Sequence, residues 1–377
     1  MNLPKKILFS IFATLFLLLL LELSARVLEI WIPPFPVDIG QGFVPQSRVF
    51  VPSPADSGML VTNPAKSISF LPSAFTRHRS KRTFRIFFLG ESSVNRLQPE
   101  LVRLQQRLTQ AHHAQFDQVE IINVGGNSNG SHRLVFVLAE VLEYEPSLIL
   151  WHVGNNEFEE VEQLHFASLP TLKIQEFGSK YALTRLIRSG IAVCELAWLK
   201  QKDWQRHCLL DRFPDYSRAW HYPFTKRDVD VRMVDFQDNL NKVVLLCKKK
   251  GVPLVISTVP SNLWRPYLGN PEDGAKFRAV LQDQASHQYA QAAALSRQIL
   301  KEATGRHQSS DLENQIIRST AGKTGTPLVD VESAIIRAEP HGIPGETLFV
   351  DHCHLNDRGN AILIQSYEAV IEKQMND

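Results

Sequence analysis

The sequence has few cysteines and no excess of charge. Four cysteines occur in 377 residues and none belongs to a C-x-x-C pair, which argues against a structural zinc site. The formal net charge is +2 at pH 7, so we expect no nucleic-acid partner. Low-complexity tracts and internal repeats are absent. The length and the hydrophobic content of 44% fit a globular protein with one large or two medium domains.

Charge is also missing from a run near the N-terminus. Lys5 and Lys6 precede residues 7–21, which are uncharged, and the helical pattern continues to Ile32. The uncharged run would span about 22 Å and the hydrocarbon core about 30 Å, so the helix needs its continuation to cross a membrane. We predict that residues 1–32 form a transmembrane anchor. A cleaved signal peptide is the alternative, although no good A-x-A cleavage site follows the run.

The position of the lysines predicts the orientation of this anchor. Lysines precede the apolar run and few follow it, which places the N-terminus in the cytoplasm and the rest of the chain outside it. We therefore expect a single-pass protein of the inner membrane with an extracytoplasmic, periplasmic main part. In such an oxidising compartment Cys194 and Cys208 could form a disulfide, and free buried thiols fit these positions equally well.

The rest of the chain divides into a spacer and a larger domain. Residues 33–80 are rich in Pro, Ser and Gly and predict an extended spacer with short strands. Residues 81–377 alternate helical patterns with nearly continuous apolar strands such as RIFFLG, VEIINVG, SLILWHVG and VPLVISTVP. This pattern predicts an α/β fold with a parallel sheet covered on both faces. The interval 159–227 does not fit the alternation, and we interpret it as a helical insertion with an aromatic-rich loop.

Polar motifs follow the predicted strands. They read LGESS, NVGGNSNGS and HVGNNEF after three strands, and FVDHCHLND before the last helix. In parallel α/β folds, sites form at the carboxyl ends of the strands. A hydrolytic serine needs a base, a group that orients the base, and donors for an oxyanion. Together these motifs can supply all of them.

Three residues are candidates for the reacting groups. Ser92 lies at a sharp strand-to-helix turn, where a serine can be a nucleophile or an ordinary N-cap. Asp351 and His354 are three residues apart, which lets a carboxylate reach one imidazole nitrogen while the other faces the serine. The DHCH motif also suggests a metal site, but adjacent residues rarely converge on one ion, so we expect no metal.

Other residues are candidates for the oxyanion and the substrate. Asn156, in GNNE, can aim its side-chain amide at an oxyanion, and Gly126 can present a backbone N–H. The loop TVPSNLWRP follows another strand, and there Asn262 and Trp264 are candidates for substrate contact. Polar residues of this kind are also common in any turn.

These motifs resemble those of the SGNH (GDSL-type) hydrolases, and more closely a bacterial, membrane-anchored subgroup of them. LGESS is similar to the first family block, INVGGNSNG lies in the place of the second, GNNE matches the third and DHCH the last. The resemblance implies a flavodoxin-like three-layer α/β/α fold. It also implies Ser92 as nucleophile, His354 as base, Asp351 as its orienter and Asn156 as oxyanion donor.

The chain departs from the family pattern at three positions. Glu91 and Glu157 stand where the family has aspartates, and Ser128 stands where many members have the oxyanion glycine. Any residue except proline carries a backbone N–H, so either Ser128 or Gly126 can supply that donor.

The resemblance implies a function. We expect an extracytoplasmic serine esterase or O-deacetylase that needs no cofactor and acts on an ester-bearing small molecule, an acylated glycan or a lipid. A carbohydrate O-acyltransferase with the same residues is the nearest alternative. A non-catalytic binding or scaffold module is the second, suggested by the two acidic substitutions and by an insertion that could cover the site.

Overall fold

A computed structural model describes residues 3–32, 48–67, 69–163, 177–178, 180–187, 189–190, 224–268, 271–304 and 306–376. Most of the predicted insertion lies outside the described residues, as do its aromatic loop and the predicted pairing of Cys194 with Cys208. The other two cysteines, Cys247 and Cys353, are buried free thiols.

The chain begins with one long helix, α1 (Leu3–Trp31). Residues Pro4–Trp31 are long and apolar enough to cross a membrane, and the apolar window is not buried against the rest of the protein. By length and composition this helix fits a membrane anchor or a signal sequence.

Three short strands follow: β1 (Phe50–Pro52), β2 (Met59–Thr62) and β3 (Ala74–Thr76), which form an antiparallel sheet. Their apolar side chains, including Phe50, Leu60 and Phe75, belong to the same core as the central sheet. Short strands were expected in this stretch, and these pack on the domain. The division of the chain at residue 81 stays a prediction.

The central sheet has five parallel strands. They are β4 (Thr83–Gly90), β5 (Gln118–Gly125), β6 (Leu148–His152), β7 (Leu254–Ser257) and β8 (Leu328–Val329). Their spatial order is β5-β4-β6-β7-β8, which is the flavodoxin-like 2-1-3-4-5 arrangement. All residues of β4, β6 and β7 are buried, as expected for strands covered on both faces. The predicted fold class is confirmed.

Helices cover both faces of this sheet. One face carries α4 (Ser131–Val141), α6 (Lys226–Lys250) and α9 (Asp311–Thr324), whose apolar side chains share one core with β1–β3. The other face carries α3 (Gln98–Ala111), α10 (Val331–Ala338) and α11 (Asp357–Asn376) around a second core. Two short helices, α2 (Ser92–Asn95) and α5 (Glu157–Gln163), start at the carboxyl ends of β4 and β6.

The stretch after β7 differs from the single long helix that its pattern predicts over about 272–304. It forms two helices, α7 (Pro271–Ala285) and α8 (Tyr289–Glu302), with a core of their own. His287 between them has a φ of 57°, and one residue in this left-handed conformation ends a helix. Both halves have helical periodicity, so the sequence pattern does not show the break between them.

The register of the sheet aligns the ends of three strands. Gly90 pairs with Gly125 on one side and with His152 on the other, so the three following loops leave the sheet at one level. Gly90 has no room for a side chain, because a Cβ there would lie 2.7 Å from the His152 carbonyl oxygen and 2.8 Å from the Val94 Cβ. The absence of that Cβ lets α2 turn directly above the strand.

We expect Gly90→Ala to destabilise the protein by about 1–3 kcal/mol, because the new methyl group overpacks a rigid backbone contact. Gly274→Ala is the matched control, since a methyl group on Gly274 in α7 would meet no described atom within 4 Å. That change should stabilise by up to about 1 kcal/mol. Chemical denaturation of the full chain in detergent measures both. Equal stability of the two variants would contradict the packing argument.

Candidate active site

Ser92 begins the short helix α2, and the N-cap position is Glu91. Neither residue makes a side-chain capping hydrogen bond there. The Ser92 hydroxyl instead lies 2.7 Å from His354 Nε2. Its role as an ordinary N-cap, the alternative that the sequence left open, therefore does not apply. The neighbouring Ser93 Oγ is buried and has no hydrogen-bond partner among the described residues.

Asp351, His354 and Ser92 form a continuous chain of contacts. His354 Nδ1 lies 2.7 Å from Asp351 Oδ2, on the opposite side of the ring from Ser92. An ionised carboxylate can only accept, so the proton of a neutral imidazole sits on Nδ1 and Nε2 accepts from the serine hydroxyl. This is the arrangement in which a histidine can take a proton from a serine.

Asp351 is held in the ionised form. Partial burial opposes its charge, but the hydrogen bond from His354 and the backbone N–H of Cys353 outweigh it and hold the pKa of Asp351 well below its usual range. The backbone N–H groups of Cys353 and His354 both donate to Oδ1, at 3.0 and 2.8 Å. A carboxylate that accepts several backbone hydrogen bonds keeps a low pKa.

Asn262 supports the loop that carries these residues. Its side-chain amide donates to the Asp351 carbonyl oxygen at 2.8 Å, and its backbone N–H donates to the His352 carbonyl oxygen at 3.1 Å. Its side-chain oxygen accepts the Arg265 N–H at 2.7 Å. These contacts give Asn262 a role in positioning the loop. Its second amide N–H makes no other hydrogen bond to the described residues, and its predicted contact with substrate stays a prediction.

Trp264, the other predicted substrate residue, lies nearby in a different environment. It is partly buried and packs against the core of α7 and α8, with its ring 6.4 Å from that of Tyr289. These contacts explain its position by packing. The substrate role of Trp264 stays a prediction.

Asp351, Cys353 and His354 also cluster closely enough to be considered as metal ligands. Two observations favour the hydrogen-bonded interpretation. Asp351 Oδ2 is already bonded to His354 Nδ1. Burial also raises the pKa of the Cys353 thiol well above its usual range, which favours the neutral thiol beside the Asp351–His354 pair.

The two alternatives for the backbone oxyanion donor differ in their contacts. The Gly126 N–H donates to the Gly90 carbonyl oxygen at 2.8 Å and is thus engaged within the sheet. Ser128 has a φ of 58°, the left-handed conformation that favours glycine, and its N–H makes no hydrogen bond to the described part of the chain. The Ser128 hydroxyl donates to Glu159 at 2.7 Å and fixes this loop to α5. Of the two, Ser128 has its donor available.

Asn156 lies in the turn between β6 and α5. Its side chain is buried, and its amide nitrogen makes a long hydrogen bond of 3.5 Å to the Asn129 carbonyl oxygen. A primary amide has two N–H groups, so a second donor remains for another acceptor.

Glu91 fixes this turn to the turn that carries Ser92. Its carboxylate is fully buried and accepts three consecutive backbone N–H groups, from Gly154 at 3.1 Å and from Asn155 and Asn156 at 2.8 Å each. Burial raises the pKa of Glu91 well above its usual range, the Asn156 N–H opposes the rise, and the charge of Glu157 adds to it. Sequence reasoning gave Glu91 no direct chemical role, and its positioning role becomes visible only in the fold.

A buried ionic cluster also supports the turn that carries Asn156. Glu157 accepts the backbone N–H and the hydroxyl of Ser131, and Arg232 from α6 lies within 2.9 Å of both Glu157 and Glu160. Burial raises the pKa of Glu157 to about 7, Arg232 opposes the rise, and Glu160 adds to it. Sequence reasoning missed Arg232, which lies in the first two turns of α6, a helix that begins at Lys226. The capping box of Thr225 and Asp228 is the local signal for that start.

No protein-family model matches the chain, and no curated protein matches it. Solved structures with a similar fold include an acetyl xylan esterase at 16% identity and a TM-score of 0.40, covering 76% of this chain and all of the other. A GDSL-like lipase from Bacteroides thetaiotaomicron has 11% identity and a TM-score of 0.40, covering 80% and 92%. A variant of an acetyl xylan esterase from Geobacillus stearothermophilus has 13% identity and a TM-score of 0.39, covering 78% and 94%.

We expect Glu91→Gln to destabilise the protein by about 1–3 kcal/mol, because an amide nitrogen cannot accept and at least one buried backbone N–H loses its partner. Chemical denaturation measures the change. Glu143→Gln is the control, since Glu143 is half exposed in its ion pair with Arg48 and should change stability by less than about 1 kcal/mol. If both variants were equally stable, Glu91 would not be the link between the two turns.

Proposed function

We propose that this chain is a serine ester hydrolase of the SGNH type, anchored in the inner membrane and acting outside the cytoplasm. The observation that carries the proposal is the chain of two 2.7 Å contacts from Asp351 through His354 to Ser92. The strand register supports it, because the loops after β4, β5 and β6 leave the sheet at one level. The apolar α1 is the proposed anchor, with its lysines on the cytoplasmic side.

The proposed reaction has two halves. His354 Nε2 takes the proton of Ser92 as Oγ attacks the ester carbonyl, and then returns it to the leaving alcohol, which leaves an acyl group on Ser92. Water attacks this acyl-enzyme with the same histidine as base, which releases the acid and restores Ser92. Asp351 keeps the imidazole in the required tautomer and stabilises the imidazolium that forms in each half.

Negative charge builds up on the carbonyl oxygen in both halves. The proposed donors to this oxygen are the Ser128 N–H and the side-chain amide of Asn156. The cluster around Glu91 and Glu157 fixes the Asn156 turn, so these donors need little rearrangement during the reaction.

The proposed substrates carry an acyl group on a hydroxyl, as in an acylated glycan, a lipid or a small ester. A sugar hydroxyl in place of water in the second half would make the same site an O-acyltransferase. Release of free acid in the absence of any acceptor distinguishes hydrolysis from transfer. No observation favours the binding-module alternative over catalysis.

Ser92→Ala should lower turnover of an aryl acetate by about 10⁴-fold or more, because the nucleophile is lost. It should also abolish covalent labelling by a fluorophosphonate. Ser93→Ala is the matched control, since Ser93 is adjacent and its hydroxyl does not contact His354. Its turnover should stay within about tenfold of the parent chain.

Two results would contradict the proposal. Labelling that persists in Ser92→Ala and disappears in Ser93→Ala would show that Ser93, and not Ser92, is the nucleophile. A folded parent chain that neither labels nor turns over any of a set of esters would favour the binding module instead.

Asn262→Ala tests the difference between positioning and substrate contact. We expect kcat to fall by about tenfold with little change in KM, because the loop of Asp351 and His354 loses one hydrogen bond of about 1 kcal/mol or more. Gln298→Ala, at an exposed side chain of α8, is the control and should change neither constant. A raised KM with unchanged kcat would show instead that Asn262 binds substrate.

A further inference from the structure

A short segment from the predicted insertion lies against the C-terminal part of α1. We call residues 177–178 and 180–187 the juxtamembrane segment; residues 182–187 of it are helical. The Glu22 carboxylate accepts the backbone N–H groups of Ala182 and Leu183, at 3.0 and 3.1 Å. Ala25 of α1 and Ala182 are both buried, so the contact also excludes solvent.

A second contact orients the segment along α1. Arg185 makes a two-pronged ion pair with Glu29, at 2.9 and 2.6 Å, and both side chains are 15% exposed. Ala182 is hydrogen-bonded to Glu22, and Arg185 is paired with Glu29, which lies further along α1. The segment therefore runs in the same direction as α1. The residues before Ala182 therefore extend toward the uncharged run, which ends at Leu21.

The residues at that end are aromatic, basic and exposed. Phe177 is 59% exposed and Tyr181 41%, and their rings meet edge to face at 5.3 Å. The Lys180 ammonium lies 5.9 Å from the Phe177 ring centre. Aromatic rings and lysines are typical of the boundary between hydrocarbon and headgroups, where a ring is half buried and a cation meets lipid phosphates.

The position of Glu22 sets the level of these residues. Lys6 and Glu22 flank the uncharged residues 7–21, which rise by about 22 Å. With the lysines at the inner boundary, Glu22 lies within about 8 Å of the outer boundary of a hydrocarbon core of about 30 Å. Tyr181 precedes the Ala182 N–H that Glu22 accepts, so it lies at the same level.

We propose that the juxtamembrane segment is a second membrane contact, in which Phe177, Lys180 and Tyr181 insert into the outer headgroup region of the bilayer that α1 spans. The occupant is a bilayer because α1, to which the segment is bonded, exposes its whole apolar run. The inference rests on the proposed retention of α1 as an anchor. Its consequence is that α1 does not act as a free tether, since Glu22 and Glu29 hold part of the insertion at the membrane surface.

The test uses the full chain in vesicles of three parts phosphatidylcholine to one part phosphatidylglycerol. A small fluorescent amino acid is incorporated at position 181, and in separate proteins at 187 and at 281 as exposed controls. Quenching is measured with lipids that carry a nitroxide on the headgroup or on a shallow acyl carbon. We expect quenching at 181 to exceed that at 187 by at least about twofold, because interfacial residues lie about 5–10 Å into the boundary.

The ion pair provides a second variant. Arg185→Gln should lower the quenching at 181 toward that at 281, whereas Arg82→Gln, in an exposed ion pair with Asp117, should leave it unchanged. Equal quenching at 181 and 281 in a vesicle-inserted parent chain would overturn the proposal and leave the anchor intact. Loss of α1 from the mature chain, detected by its mass, would overturn the anchor and the membrane contact, whereas the esterase assays would still stand.

Discussion

The arrangement of the site depends on one buried carboxylate. Glu91 joins the turn after β4 to the turn after β6 by accepting three consecutive backbone N–H groups. A buried carboxylate is costly unless its oxygens are satisfied, and unpaired N–H groups in the turn would be costly as well. The carboxylate and the backbone N–H groups of the turn therefore need each other as hydrogen-bond partners. Because Ser92 follows Glu91 and Asn156 supplies one of the N–H groups, the same contact sets the distance between the proposed nucleophile and an oxyanion donor.

Near Glu91, a buried arginine forms ion pairs with two glutamates next to the Asn156 turn. Glu157 and Glu160 share the guanidinium of Arg232, which α6 brings from beyond the predicted insertion. The rings of Phe158 and Phe224 pack at 5.3 Å, so the two chain ends that flank most of that insertion are joined beside the cluster. This ring contact and the ionic cluster therefore lie together beside the Asn156 turn.

The sequence was sufficient for the fold class because its strands are short, apolar and buried on both faces, and each is followed by a polar turn. The contact of His354 with Ser92 pairs residues 262 positions apart. Their pairing was expected because both follow predicted strand ends and because LGESS and DHCH resemble two blocks of one family. The register of the strands could not be predicted from the sequence. The hydrogen bonds of Glu91 with the turn after β6, and the one from the Gly126 N–H to the Gly90 carbonyl oxygen, were therefore not predicted. The positioning contacts of Asn262 were not visible for the same reason, since its partner Asp351 lies about 90 residues away.

Glu91 and Glu157 were the residues that suggested a non-catalytic module, and their contacts give them a structural role instead. Glu91 stands where the resemblance implies an aspartate, yet its longer side chain finds three well-placed donors. Glu157 likewise has partners in Ser131 and Arg232. Buried carboxyl groups cost stability unless their partners are present, and Glu91 and Glu157 both have them. The departures from the pattern that the resemblance implies therefore concern how the turns are supported, whereas Ser92, His354 and Asp351 make the contacts on which the proposed reaction depends.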